Sequence, residues 1–161
     1  MAARSKARKR AFQILFEADQ RGASVQEVLA DQIRHARSDD RQPPVNDFTM
    51  QLVEGYAAHV ARIDELIATY AVDWDLDRMP VADRNIVRLG AYEVIWEDGT
   101  PDAVAIDEAV QLAKEFSTDE SPTFVNGLLA RFKDLKPRLR RDAAQPLHPR
   151  RHDRQQRVRG A

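Results

Sequence analysis

VADRNIVRLGAYEVIWE, residues 81–97, decides the fold. Read with helical periodicity, Val81, Ile86, Val87, Leu89, Tyr92, Val94, Ile95 and Trp96 fall on most sides of one helix. A helix with so little polar surface belongs at the centre of a bundle, packed on several faces. Pro80 suits its first turn, where a missing N–H costs nothing, and Asp98-Gly99-Thr100-Pro101 stops it.

The same period continues outward in both directions. Downstream, Ile106, Ala109, Val110, Ala113 and Phe116 form one stripe. Ser121-Pro122 opens another helix that buries Val125, Leu128, Leu129 and Phe132 and is expected to end at Pro137. Upstream, Phe48, Leu52, Tyr56, Val60, Ile63, Ile67 and Tyr70 follow a start at Asn46 or Asp47. This stretch reads as two helices joined near Ala61–Arg62, although no breaker stands there. Ser24 with Glu27 forms a capping box before Val25, Val28, Leu29 and Ile33. A first helix carries Ala7, Ala11, Ile14, Leu15 and Ala18 and stops near Gly22. No segment alternates as a strand would, so the chain reads as all-α, with about seven helices. Beyond residue 136 the composition is basic and poor in apolar residues, which predicts a domain over 1–136 and a disordered basic tail over 137–161.

The 161 residues hold 25 basic and 26 acidic side chains, a net charge of −1 that conceals a strong polarity. Residues 1–10 carry five cations and no acid, residues 11–135 sum to −13, and the stretch from Lys136 onward sums to +7. An acidic body with basic ends is not described by a net charge near zero. There is no cysteine, so disulfide frameworks, thiolate metal sites and cysteine nucleophiles are excluded. No apolar run reaches the roughly 20 residues of a membrane span, and no secretory signal is present. A cytoplasmic protein without membrane contact is expected.

Motifs for chemistry are missing. His148 and His152 have metal-ligand spacing, but Pro149 interrupts it in a poor helix. Asp73, Asp75 and Asp77 resemble the start of a calcium loop that fails at Arg78 and Arg84. No glycine-rich phosphate loop or nucleophile elbow exists. The expectation is a non-enzyme with no cofactor and no metal.

Two segments carry binding chemistry instead. Arg4, Lys6, Arg8, Lys9 and Arg10 crowd the start of the first helix, with Phe12 and Phe16 along one edge. Cations can hold phosphates while an exposed ring stacks on an unpaired base. Phe12 and Phe16 read equally well as core residues. In Phe124-Val125-Asn126-Gly127, Asn126 is an unusual choice inside an apolar helix and Gly127 costs about 1 kcal/mol relative to alanine. Either an outward contact or tight helix packing would account for both.

Four ordered blocks resemble the NusB family of bacterial antitermination factors. They are Ala7-Arg8-Lys9-Arg10; Asp83 to Leu89 with Tyr92-Glu93; Ala105 to Val110 with Leu112-Ala113-Lys114; and Phe116, Asp119 to Ser121 and Phe124 to Leu129. The resemblance spans about residues 4–135 and implies two small packed helical bundles. It also implies binding of boxA-type single-stranded RNA in nascent rRNA transcripts, together with the NusE ribosomal protein, within an RNA polymerase antitermination complex. By position, Arg4, Lys6, Arg8, Lys9, Phe16, Phe124 and Asn126 would contact RNA, and Asp77, Asp83 and Glu120 would meet the partner protein. Ser5, Pro122 and Thr123 depart from the family pattern. The apolar edge of the first helix suits an RNA or a homodimer face, and a purely protein-binding helical adaptor is the alternative function. With four phosphate contacts the log–log salt slope would be on the order of −3. Replacing Arg8 and Lys9 by alanine would flatten it without unfolding the domain.

Overall fold

A computed structural model describes residues 2–71 and 74–143. Seven α-helices occur among them: α1 (Ala3–Arg21), α2 (Val25–Ser38), α3 (Asp47–Ala57), α4 (Val60–Tyr70), α5 (Val81–Trp96), α6 (Asp102–Phe116) and α7 (Ser121–Ala143), with a 3-10 turn at Leu76–Arg78. α1, α2 and α3 pack on one another, as do α5, α6 and α7, and α5 also touches α1, α3 and α4. The central place expected for α5 is the one it takes: Ile86, Val87, Leu89, Ala91, Val94 and Ile95 are all buried. Among the described residues no helix is long and apolar enough to cross a membrane.

Local signals act where the sequence places them. Gly22 takes φ 65° and ends α1, with the N–H of Ala23 returning to the carbonyl of Ala18 at 3.0 Å. Ser24 Oγ accepts the N–H of Glu27 at 3.2 Å, and Asn46 Oδ1 accepts that of Phe48 at 2.8 Å. The break between α3 and α4 comes at Ala58–His59 rather than near Ala61–Arg62. There His59 leaves helical geometry (φ −126°, ψ 12°) and its ring stacks on Trp96, centroid to centroid 4.3 Å. The partner that accompanies the break sits 37 positions away, out of reach of any local reading.

The last helix also departs from expectation, because α7 runs through Pro137 to Ala143. A proline inside a helix forfeits one hydrogen bond and crowds the preceding turn. Tertiary contacts offset that loss. Leu139 is buried, and Arg140 Nε donates to the carbonyl of Ile95 at 2.7 Å while Nη2 meets Asp98 at 2.5 Å. Helix α7 therefore extends past residue 136, to Ala143. The disordered stretch expected beyond it, with His148 and His152, lies outside the described residues, as does Asp73.

A polar network fastens the two groups of helices. Asp19 on α1 accepts from Arg84 Nε and Nη2, each at 2.6 Å, from Asn85 Nδ2 at 2.8 Å and from Arg88 at 3.3 Å, and Arg88 also pairs with Asp64 on α4 at 2.9 Å. Burial alone would raise the Asp19 carboxyl. The hydrogen bonds from Arg84 and Asn85 and the charges of Arg84 and Arg88 outweigh it and hold the group below its ordinary value.

Candidate nucleic-acid and partner interface

Helical geometry divides the basic start of α1 between core and surface. Ala7, Ala11, Ile14, Leu15 and Ala18 face inward, and Arg8 and Phe12 flank that stripe. Arg8 is 4% exposed, its guanidinium 2.6 Å from Glu93 on α5 and 5.1 Å from the Phe48 ring centroid. This corrects the expectation that Arg8 holds RNA: its charge is spent inside the protein. Phe12, 2% exposed, settles the other open reading as core.

The remaining cations differ in availability. Arg4 is exposed and lies 4.6 Å from the centroid of Phe48. Lys6 is exposed and has no ion pair among the described residues. Lys9 is partly exposed, bonded to Glu115 on α6 at 2.5 Å and poised 5.3 Å from the Phe116 ring. Arg10 is tied by its side chain to Gln32 and to the carbonyls of Pro43 and Pro44, each at 3.1 Å. Phe16 is partly buried, set edge-on to Phe12 at 6.0 Å, and Phe116 lies 5.1 Å from Phe12. Lys9, Phe16 and Phe116 thus share the α1–α6 edge. Phe116 and Glu115 are contributions the sequence reading missed. The i,i+4 spacing along α1 reveals Phe12 and Phe16 but nothing about which ring of α6 meets them.

From Phe116 the chain enters the turn to α7, and that turn is anchored from below. Ser117 and Ser121 hydroxyls both donate to the Asp83 carboxylate, the second at 3.0 Å. Asp83 is 6% exposed, so it is corrected from a partner-surface residue to a positioning residue that fixes the turn. Glu120, on that turn, is exposed, and so is Asp77 on the 3-10 turn. Between these segments Trp74, Met79, Pro80 and Phe124 line a cavity of about 450 Å³ rimmed by Asp119 and Glu120. Trp74 is 48% exposed, a large ring left open to solvent in an acidic setting. It lay in a connector where helical periodicity assigns no role.

Asn126 and Gly127 both face solvent on α7. A Cβ on Gly127 would meet nothing within 4 Å, which removes tight helix packing as its explanation. Gly127→Ala is therefore expected to raise stability by about 1 kcal/mol, read as a higher denaturation midpoint, because only helix propensity changes.

Chemically these surfaces can hold phosphates, stack rings and receive cations. No group of three His, Cys, Asp or Glu side chains arranged for a metal occurs among the described residues.

Comparisons with known proteins converge. The model of the NusB family matches residues 5–134. The transcription antitermination protein NusB of Streptomyces griseus subsp. griseus is 80% identical over 142 residues, covering 88% of this chain and 99% of its own. Among solved structures, T. maritima NusB superposes with a TM-score of 0.71 at 32% identity, covering 83% of this chain and 92% of its own. A crystal structure of antitermination factors NusB and NusE in complex with dsRNA gives 0.67 at 26% identity, with 81% and 96% covered.

Proposed function

The chain belongs to the NusB family of transcription antitermination proteins, and from that membership we propose that it binds boxA-type single-stranded RNA in nascent rRNA transcripts together with the NusE ribosomal protein. The observation that carries this reading is the outer edge of α1. Lys6 is exposed without an ion pair among the described residues, Arg4 is exposed two positions before it, and Lys9 lies over the Phe116 ring with Phe16 two turns further along α1. Cations beside partly exposed rings are what a flexible, unpaired strand needs: phosphates are neutralised while bases stack. The acidic body confines RNA to this edge by repelling it elsewhere. Asp77, Glu120 and the Trp74 cavity offer carboxylates and an apolar surface to a basic protein, while Phe124, which lines that cavity, and the exposed Asn126 on α7 would add RNA contacts.

With Arg8 in the core, about three phosphate contacts remain, so the log–log salt slope for boxA-type RNA should be on the order of −2. Replacing Lys6 and Lys9 by alanine should flatten it to roughly −1 and weaken binding at low salt, with the fold intact. Salt titrations of RNA affinity, with and without NusE, make the test. An unchanged slope would remove α1 as the RNA site. Tight NusE binding with no RNA contact would favour a protein-only adaptor.

A further inference from the structure

From Lys6 and Lys9 a groove of about 690 Å³ runs between α1, α2 and the loop before α3. We infer that this groove is a base-reading subsite, taking one nucleobase of the single-stranded RNA that Lys6 and Lys9 hold by its phosphates; the inference rests on the RNA-binding reading above.

Three glutamines, Gln13, Gln32 and Gln42, line it. A primary amide carries two donors and an acceptor, which matches the hydrogen-bonding edge of a base and carries no charge to attract phosphate. Gln13 and Gln42 are exposed, and neither side chain makes a hydrogen bond within the described residues. Gln32, in contrast, is fixed in place: its Oε1 accepts from Arg10 Nε at 3.1 Å and its amide nitrogen points to Glu17 at 3.5 Å. Arg10 also grips the carbonyls of Pro43 and Pro44, so the same guanidinium joins both helices to the loop and sets the width of the groove.

The carboxylates in the groove are already matched. Glu17 and Asp31 both face Arg21, at 3.4 and 3.5 Å, and Asp31 also pairs with Arg34. Asp39 pairs with Arg41 at 3.1 Å. Among the described residues Lys6 makes no ion pair, Arg10 meets only neutral acceptors, and the Gln13 and Gln42 side-chain amides make no hydrogen bond. Lys6, Lys9, Arg10 and Arg21 also line the groove, so its cations can hold the neighbouring phosphates while the uncharged Gln13 and Gln42 amides meet the edge of a base. The strand can therefore cross the rim at Lys6 and Lys9 and turn one base inward.

The test measures affinities of wild type, Gln13→Ala, Gln42→Ala and Lys6→Ala for boxA-type RNA, for its full set of single-base substitutions, and for a uridine homopolymer of equal length. Thermal midpoints of all four proteins confirm folding. In wild type, substituting the base that enters the groove should cost about tenfold. That penalty should vanish in Gln13→Ala or Gln42→Ala, while the salt slope stays unchanged. Lys6→Ala should weaken every RNA alike. If both glutamine variants keep every positional penalty, the groove does not read a base. If wild type binds none of these RNAs, the RNA-binding reading itself falls, and the groove with it.

Discussion

Arg8→Ala is expected to cost about 3–5 kcal/mol of folding stability, measured by urea denaturation, a large part of what a domain of this size holds. The pair it breaks is almost sealed from water: the Arg8 and Glu93 side chains are 4% and 3% exposed and 2.6 Å apart. Removing the guanidinium strands the Glu93 carboxylate in the core, with a second acid, the partly exposed Glu108, at the edge of the pair 4.0 Å from Arg8. It also strips the Phe48 ring of a cation. Most of the cost is the unpaired charge rather than the lost attraction, so Arg8→Met combined with Glu93→Leu should recover most of the stability. A double replacement that stays as unstable as the single one would show that Arg8 matters through its shape or its contact with Phe48. The consequence for function is direct. Loss of RNA binding in Arg8→Ala would report a loosened α1 and not a lost phosphate contact. The double replacement of Arg8 and Lys9, read from the sequence as leaving the fold intact, is expected to unfold more easily.

The second large effect lies at Gly55. An alanine Cβ there would stand 2.0 Å from the Tyr92 hydroxyl oxygen and 2.2 and 2.7 Å from two ring carbons, so the ring must leave. It has little freedom to do so. Tyr92 donates to Glu97 at 3.0 Å, and Glu97, 7% exposed, accepts Gln51 Nε2 at 2.8 Å. Burial, followed by the charge and hydrogen bond of Glu97, pushes the phenol well above its ordinary pKa, so it stays a donor at working pH. Displacing it removes one of the two hydrogen bonds that stabilise a buried carboxylate. Gly55→Ala is therefore expected to cost about 3 kcal/mol. Adding Tyr92→Leu should cost much less on the Gly55→Ala background than on the wild type, because there it also relieves the clash and the ring's hydrogen bond is already lost. Additive penalties in that double-mutant cycle would place the strain elsewhere.

Much of this molecule is readable along the chain. Each helix follows from its apolar period, and Gly22, Ser24 and Asn46 mark ends that the structure keeps. α5 is legible as the centre because its apolar residues do not fit on one face. The misread points share a cause. Arg8 looks like its neighbours Lys6 and Lys9 until α5 supplies Glu93, 85 positions away. Asp83 looks like any helix-start carboxylate until Ser117 and Ser121 fold over it. Pro137 reads as a stop because a local rule cannot include Leu139 in the core or Arg140 on the carbonyl of Ile95.

The sequence by itself determined the all-helical architecture, the order and most ends of its helices, the place of α5 and the separation of charge into a basic start and an acidic body. Those properties depend on periodicity and composition, which are local or additive along the chain. Only the tertiary structure decided which charges are free to bind. Exposure and pairing depend on what packs from a distant element: Glu93 withdraws Arg8, Glu115 restrains Lys9, and Lys6 is left open to solvent.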